Sequence, residues 1–136
     1  MLARRSCSCL PLSLFLSATT LLLAACGHSL PDFPDFDAAT WRRDSFGCQK
    51  QRARLLPILE KHRAELFGAR TNAIDAFLGR PDGAELDEQT EKTYFYYIEP
   101  GPQCERGHAR SAANKLLIHF GATGTVTEIR YERPLK

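Results

Sequence analysis

The sequence lacks the motifs by which many enzymes and metal proteins are recognised. It contains no GxSxG nucleophile elbow, no HExxH pair and no glycine-rich loop ahead of a helix. None of its five cysteines forms a CxxC pair, the close spacing typical of a zinc site. We therefore expect a protein that is not an enzyme and that carries neither a cofactor nor a metal ion.

An excess of charge of one sign is also absent. Arg4 and Arg5 belong to an N-terminal segment that we expect to be removed, and without them the 18 basic residues become 16, equal to the 16 acidic ones. A chain without a basic field is a poor candidate for binding nucleic acid. We expect no nucleic-acid partner.

The chain has no long apolar run either. The apolar stretch of residues 12–25 is shorter than the about 20 residues that a membrane-spanning helix needs. Two arginines, an apolar stretch and small residues follow one another, which is the plan of a secretory signal. We interpret residues 1–25 as a signal peptide; a short membrane anchor, a buried helix or a signal cleaved without lipidation are the alternatives.

The end of that segment, Leu23-Ala24-Ala25-Cys26, resembles the bacterial lipobox. The resemblance implies that cleavage falls before Cys26 and that Cys26 becomes a lipidated N-terminus. Bacterial lipoproteins carry three acyl chains there, and several chains anchor a protein stably where one does not. It implies an exported lipoprotein anchored in a membrane, the outer membrane in our interpretation.

Two further cysteines, Cys48 and Cys104, remain after Cys26 is set aside. An exported protein with two cysteines most simply pairs them in a disulfide. Closing a loop of that span stabilises a fold by roughly 4 kcal/mol in the chain-entropy model. The alternatives are two free buried thiols, or a thiol or metal site with His62 or His108.

Residues 26–40 are interpreted as a tether. Proline and acidic residues alternate with Phe33 and Phe36, and linkers that contain proline are extended and semi-rigid. The favoured interpretation is a spacer that lifts the domain off the membrane. Docking of the two phenylalanines on the domain or on a partner is the alternative.

Residues 41–136 are predicted to form one domain that begins with helices. Leucines recur at helical spacing over residues 48–66, with basic residues, Arg52 among them, on the outer face. Pro57 should kink this helix or start a new one. A second helix over residues 72–78 is predicted, capped by Thr71 and ended by Gly79.

Strands are predicted for the rest of the domain, over residues 83–86, 92–98, 115–120 and 126–132. The segment 121–125 supplies two glycines for a hairpin turn. Helices segregated from strands indicate an α+β fold. We predict two N-terminal helices packed on one face of a three- to four-stranded antiparallel meander sheet.

Histidines and carboxylates form no convincing catalytic set. His62 lies between two basic residues and His119 alternates with apolar neighbours, so both are predicted to face solvent. His28 falls in the tether and His108 in a polar loop. Carboxylates that could be paired for acid–base chemistry are interpreted as capping or solvated groups; they are Asp75 with Asp82, and Glu85 with Asp87 and Glu88.

The strand with the most aromatic residues is the candidate interaction surface. Its residues are Tyr94, Phe95, Tyr96 and Tyr97. Alternate residues face opposite sides of a strand, so both sides are apolar and the helices cover only one. The other side is either an exposed patch that binds a partner or is covered by residues 103–114 or the Trp41 segment.

The segment from Gly68 to Pro81 resembles a known family. Its Gly68…Thr71 start and its Leu78-Gly79-Arg80-Pro81 end are similar to a helix of the small outer-membrane lipoproteins called SmpA/OmlA or BamE. The later strands and the lipobox agree with that resemblance, which covers about residues 66–131. It implies an α+β fold and a non-catalytic role in assembly or integrity of the outer envelope. The same order of elements also resembles the repeat unit of β-lactamase-inhibitor proteins.

We therefore expect a lipid-anchored periplasmic or envelope protein that acts as a binding or scaffold module. Its partners would be the membrane, through the lipid on Cys26, and a protein that the sequence does not identify. An inhibitor-like or small-ligand-binding lipoprotein is the alternative, and a deep apolar pocket would favour it.

Overall fold

The computed structural model describes residues 28–86, 91–107 and 110–135. Helices come first and strands follow. The α-helices of this part of the chain are α1 (Ala38–Arg43), α2 (Gln51–Lys61), α3 (Arg63–Leu66) and α4 (Thr71–Leu78); the strands are β1 (Gly83–Leu86), β2 (Lys92–Tyr97), β3 (Lys115–Phe120) and β4 (Val126–Tyr131). Short 3-10 turns lie at Ser45–Gly47 and Pro102–Cys104. The predicted α+β fold is confirmed.

The four strands form an antiparallel meander in the order β1-β2-β3-β4. The register aligns Leu86, Lys92, Phe120 and Val126 in one row across the sheet. We call this the hairpin end, because the β3–β4 turn of residues 121–125 closes it. At the opposite end, Tyr97 pairs with Lys115.

The main core lies between the helices and one face of the sheet. On β3, every second residue is buried, so the strand turns Leu116, Ile118 and Phe120 to this core. Residues from the helices complete it, namely Trp41, Leu56, Leu59, Leu66, Ile74 and Leu78. The alternation explains why this face carries helices.

Two helix boundaries differ from the prediction. Helix α2 continues through Pro57, and the break falls at His62, whose backbone N–H bonds to the Leu59 carbonyl at 3.0 Å. Thr71 is not the cap of α4, which is Arg70. The reason is that the Thr71 N–H and hydroxyl both donate to the Gly124 carbonyl, at 3.0 Å each, and so join the helix to the β3–β4 turn.

Residues 28–37, which we call the N-terminal strap, pack on the helices. Phe33 and Phe36 are buried, and both rings contact Phe77 with centroid distances of 5.1 and 4.9 Å. Burying one such side chain stabilises a fold by about 1.5–3 kcal/mol. The prediction of a spacer is therefore wrong for these residues, and the folded unit begins before the predicted boundary at residue 41.

None of the helices in the described ranges has the length and apolar character needed to cross a membrane.

Candidate functional site

The predicted interaction surface is not on the surface. Tyr94, Phe95, Tyr96 and Tyr97 are all buried. The first and third join the main core, while Phe95 and Tyr97 form a small second core with Ala113, supported by Phe46 and Leu117. The structure thus excludes the exposed patch and agrees with the other alternative, cover by the loop between β2 and β3: Ala113 of that loop and Phe46 pack on Phe95 and Tyr97.

That covering loop is held by hydrogen bonds near both of its ends. Buried Gln103 donates to the carbonyls of Phe46, at 3.1 Å, and Glu99, at 2.8 Å. The Ser111 N–H donates to the Tyr97 hydroxyl at 3.1 Å. The second core is therefore a built part of the fold.

Cys48 and Cys104 are joined, with sulfur atoms 2.03 Å apart and Cα atoms 5.7 Å apart. Their bond ties the covering loop to the turn ahead of α2. Cys48 is half-buried and Cys104 is exposed. Cys26, the predicted lipidation site, lies outside the described residues.

The described histidines make structural contacts. His62 was predicted to face solvent but is half-buried. Its ring stacks on Phe33, and its Nε2 lies 2.7 Å from Asp35 Oδ1. His119 is also half-buried: its Nδ1 lies 2.7 Å from the Thr93 hydroxyl. His108 lies outside the described residues, as do Asp87 and Glu88.

A buried charge cluster that the sequence did not predict lies under α2. Arg52, predicted on the outer face, is 1 % exposed and pairs with Asp82, with Nη1 2.5 Å from Oδ2. Its guanidinium also donates to the carbonyls of Trp41 and Tyr97, at 3.3 and 3.1 Å. Asp82, interpreted from the sequence as a capping or solvated group, is instead paired with Arg52, with 4 % of its side chain exposed.

Asp44 completes this cluster by capping α2. Its carboxylate accepts from the backbone N–H groups of Gln49 and Gln51, at 2.7 Å each, and Arg52, at 3.0 Å. Gln51 and Arg52 belong to the first turn of α2, whose N–H groups have no partner within the helix. The cluster is closed to solvent, and the Arg52 guanidinium already donates to groups of the protein. The cluster therefore positions α2 and offers no site for a ligand.

The candidate binding site is an apolar groove of about 400 Å³ beside α2. One wall comes from Ala53, Leu56, Pro57 and Glu60, which share a face of the helix because they recur at i, i+3, i+4 and i+7. Arg52, four residues before Leu56 and therefore its neighbour on the helix surface, anchors the same helix to the sheet through its bond to the Tyr97 carbonyl. The buried ion pair therefore sets where this wall stands.

The rest of the groove comes from the end of the sheet opposite to the hairpin end. Ile98, Glu99, Asn114 and Leu135 line it. The Asn114 amide donates to the Arg133 carbonyl at 3.1 Å and accepts from the Arg133 N–H at 2.8 Å, which fixes the segment after β4. Leu135, 42 % exposed, thereby lies at the groove as an accessible apolar contact.

The carboxylates at the groove have partners on the protein. Glu99 pairs with Arg133 at 2.8 Å, and Glu60 pairs with Arg63 at 3.3 Å. The Tyr131 hydroxyl also donates to Glu60. Burial and this hydrogen bond raise the pKa of Tyr131, so its hydroxyl keeps its proton.

The groove therefore offers apolar contact with a neutralised polar edge. Its lining holds no histidine, cysteine, serine or lysine. Within the described ranges, no group of three or more histidine, cysteine, aspartate or glutamate residues is placed to hold a metal ion. The sequence does not predict this groove, because the groove joins a helix face to residues that lie far apart along the chain.

Neither a family model, nor a curated protein, nor a solved structure matches this chain.

Proposed function

We propose that this chain is a lipid-anchored protein of the bacterial envelope that works as a non-catalytic binding module. The observation that carries the proposal is Leu23-Ala24-Ala25-Cys26 after an apolar signal-like stretch. The joined Cys48 and Cys104 support export, since disulfides persist in oxidising compartments. The resemblance to SmpA/OmlA lipoproteins favours a role in assembly or integrity of the outer membrane.

The anchor is tested by metabolic labelling with a fatty acid in a bacterial host. The unsubstituted chain should take up the label and fractionate with membranes. Cys26→Ala should abolish the labelling, since no thiol remains at that position. Label that persists in this variant would overturn the proposed anchor.

The binding surface in this proposal is the apolar groove, and its partner is an apolar segment of another envelope protein. Leu56 and Ile98 supply the buried lining, while Leu135 supplies exposed apolar surface. Exposed apolar area beside a neutral polar rim is typical of protein-binding sites.

A photoreactive benzophenone residue at exposed Ala53 tests this in intact membranes, with the same residue at exposed Glu128 of β4 as the matched control. We expect a reproducible protein adduct from position 53 that the control does not form and that Leu135→Asp removes. An equal adduct from position 128, or none from position 53, would contradict groove binding.

The second candidate is a small-ligand-binding lipoprotein, which the volume of the groove favours. Pockets for small ligands run from about 300 to 1,000 Å³, and this groove lies near the lower limit. Mass spectrometry of the position-53 adduct separates the two candidates. The adduct contains a peptide if the groove binds a protein and a small molecule if it binds a small ligand.

A further inference from the structure

The point where the strap enters the fold is fixed at His28. The His28 N–H bonds to the Gly68 carbonyl at 3.3 Å, and the Arg70 N–H bonds to the His28 carbonyl at 3.4 Å. The imidazole Nε2 lies 3.0 Å from the Glu65 carbonyl. Three contacts to one turn leave His28 little freedom relative to the domain.

Cys26 stands only two residues before this fixed point. Two residues extend by at most about 7 Å between Cα atoms. The headgroup layer on one side of a bilayer is roughly 5–8 Å thick. A domain fixed at His28 and lipidated at Cys26, as proposed above, cannot stand clear of that layer.

The surface around His28 belongs to the hairpin end of the sheet. Gly68 donates to the Val126 carbonyl at 2.9 Å, and Val126 stands in the row that contains Leu86 and Lys92. The β3–β4 turn lies beside it through the bond from Thr71 to Gly124.

Exposed apolar side chains concentrate at that end. Among the described residues, the exposed large hydrophobic side chains are Phe67, Leu86 and Leu135, at 41, 79 and 42 %. Phe67 directly precedes Gly68, and Leu86 lies in the hairpin-end row; only Leu135 lies at the opposite end. Arg70, three residues after Phe67, is exposed as well. An aromatic ring and an arginine suit the interface of a bilayer.

We propose that the hairpin end, with Phe67, Arg70 and Leu86, rests on the lipid surface and that the strap holds it there. The inference rests on the proposed lipid anchor. Phe67 enters the headgroup layer, and the groove at the opposite end of the sheet points away from the membrane. The strands separate the two ends by about 17 Å, so one end contacts lipid while the other stays open to a protein.

Tryptophan quenching by lipids brominated near the headgroup tests this orientation. The probes are Phe67→Trp and, as the matched control of equal exposure, Leu135→Trp, each in the lipidated full chain on phosphatidylcholine–phosphatidylglycerol vesicles. The fluorescence of buried Trp41, the only native tryptophan, is measured in the unsubstituted protein and subtracted. We expect about threefold stronger quenching for Phe67→Trp than for Leu135→Trp.

Flotation with the vesicles separates the two ways of failing. A chain that does not float lacks the anchor, which overturns the proposed function and this inference with it. A chain that floats with equal quenching at both positions, or with stronger quenching for Leu135→Trp, keeps the anchor and overturns the orientation. A peptide adduct from a photoreactive residue at position 67 in cells would show that a protein occupies this end instead.

A longer tether tests whether the short reach from Cys26 to His28 causes the orientation. Ten glycine and serine residues inserted between Gly27 and His28 add a reach of about 17 Å. The quenching of Phe67→Trp should then fall close to that of Leu135→Trp. Unchanged quenching would overturn the short strap as the reason for the orientation.

Discussion

Arg52 and Asp82 form an ion pair inside the protein, with 2.5 Å between Nη1 and Oδ2 and both side chains almost closed to solvent. Asp82 also accepts the backbone N–H groups of Phe46, at 3.0 Å, and Tyr97, at 2.8 Å. The Arg52 guanidinium lies over the rings of Trp41 and Tyr96. One pair thus joins α2, the turn ahead of it and β2.

Arg52→Met should lower the free energy of unfolding by about 3–5 kcal/mol, because it leaves the Asp82 carboxylate buried without its cation. Urea unfolding measures the loss. Arg54→Met, at an exposed position of the same helix, is the control and should change the value by less than about 0.5 kcal/mol.

Adding Asp82→Asn to Arg52→Met should cost less than the sum of the two single substitutions. Asparagine removes the unpaired charge and keeps one oxygen, which can replace only one of the two carboxylate oxygens that accept from Phe46 and Tyr97. Strict additivity, or an equal loss in Arg54→Met, would show that the ion pair is not what holds α2.

The sequence predicted the order of elements well because local patterns determine it. Leu116, Ile118 and Phe120 alternate with half-buried residues, and Gly79 ends α4 with φ 77°. Such patterns depend only on neighbours along the chain. The class of fold and the face that carries the helices follow from them.

The sequence did not predict the candidate site, because burial among residues far apart along the chain determines it. Arg52 has the residue type of an outer helix face, yet partners 30 and 45 residues away pair with it inside. Phe95 and Tyr97 could be exposed or covered, and a loop that no periodicity describes decides between the two. Proline and acidic residues around Phe33 indicate a spacer, although the ring finds a place in the core.

Reduction of the bond between Cys48 and Cys104 should lower the free energy of unfolding by about 4 kcal/mol in the chain-entropy model, because it releases a loop with a separation of 56 residues. Unfolding in urea with and without a dithiol measures this. The double variant Cys48→Ser with Cys104→Ser is the control and should not respond to the dithiol. An oxidised chain as easily unfolded as the reduced one would contradict the expectation.

Phe33→Ala should lower the free energy of unfolding by about 3–5 kcal/mol, because the ring fills space between His62 and Phe77. Phe67→Ala removes the same atoms from an exposed position and should have an effect below about 0.5 kcal/mol. Thermal or urea unfolding compares the two. Equal small effects of the two substitutions would indicate that the strap is a spacer.

The strap should also respond to acid through Asp35. The hydrogen bond with His62 holds the pKa of the Asp35 carboxyl below its ordinary value. A lowered pKa in the folded state means that the contribution of Asp35 to stability is fully present above the pKa of the unfolded chain. That contribution is lost as the pH falls through the lowered pKa.

His62→Gln should therefore raise the pKa of Asp35, as measured by NMR titration of the carboxyl carbon. Asp37 is the internal control. Hydrogen bonds from the Thr40 hydroxyl and N–H lower the pKa of Asp37, and these do not involve His62. If the pKa of Asp35 stays where it was, or if the pKa of Asp37 moves equally, the contact between His62 and Asp35 does not hold the strap in solution. A rise confined to Asp35 would show that the strap lies on the helices in solution, as the short reach from Cys26 to His28 requires.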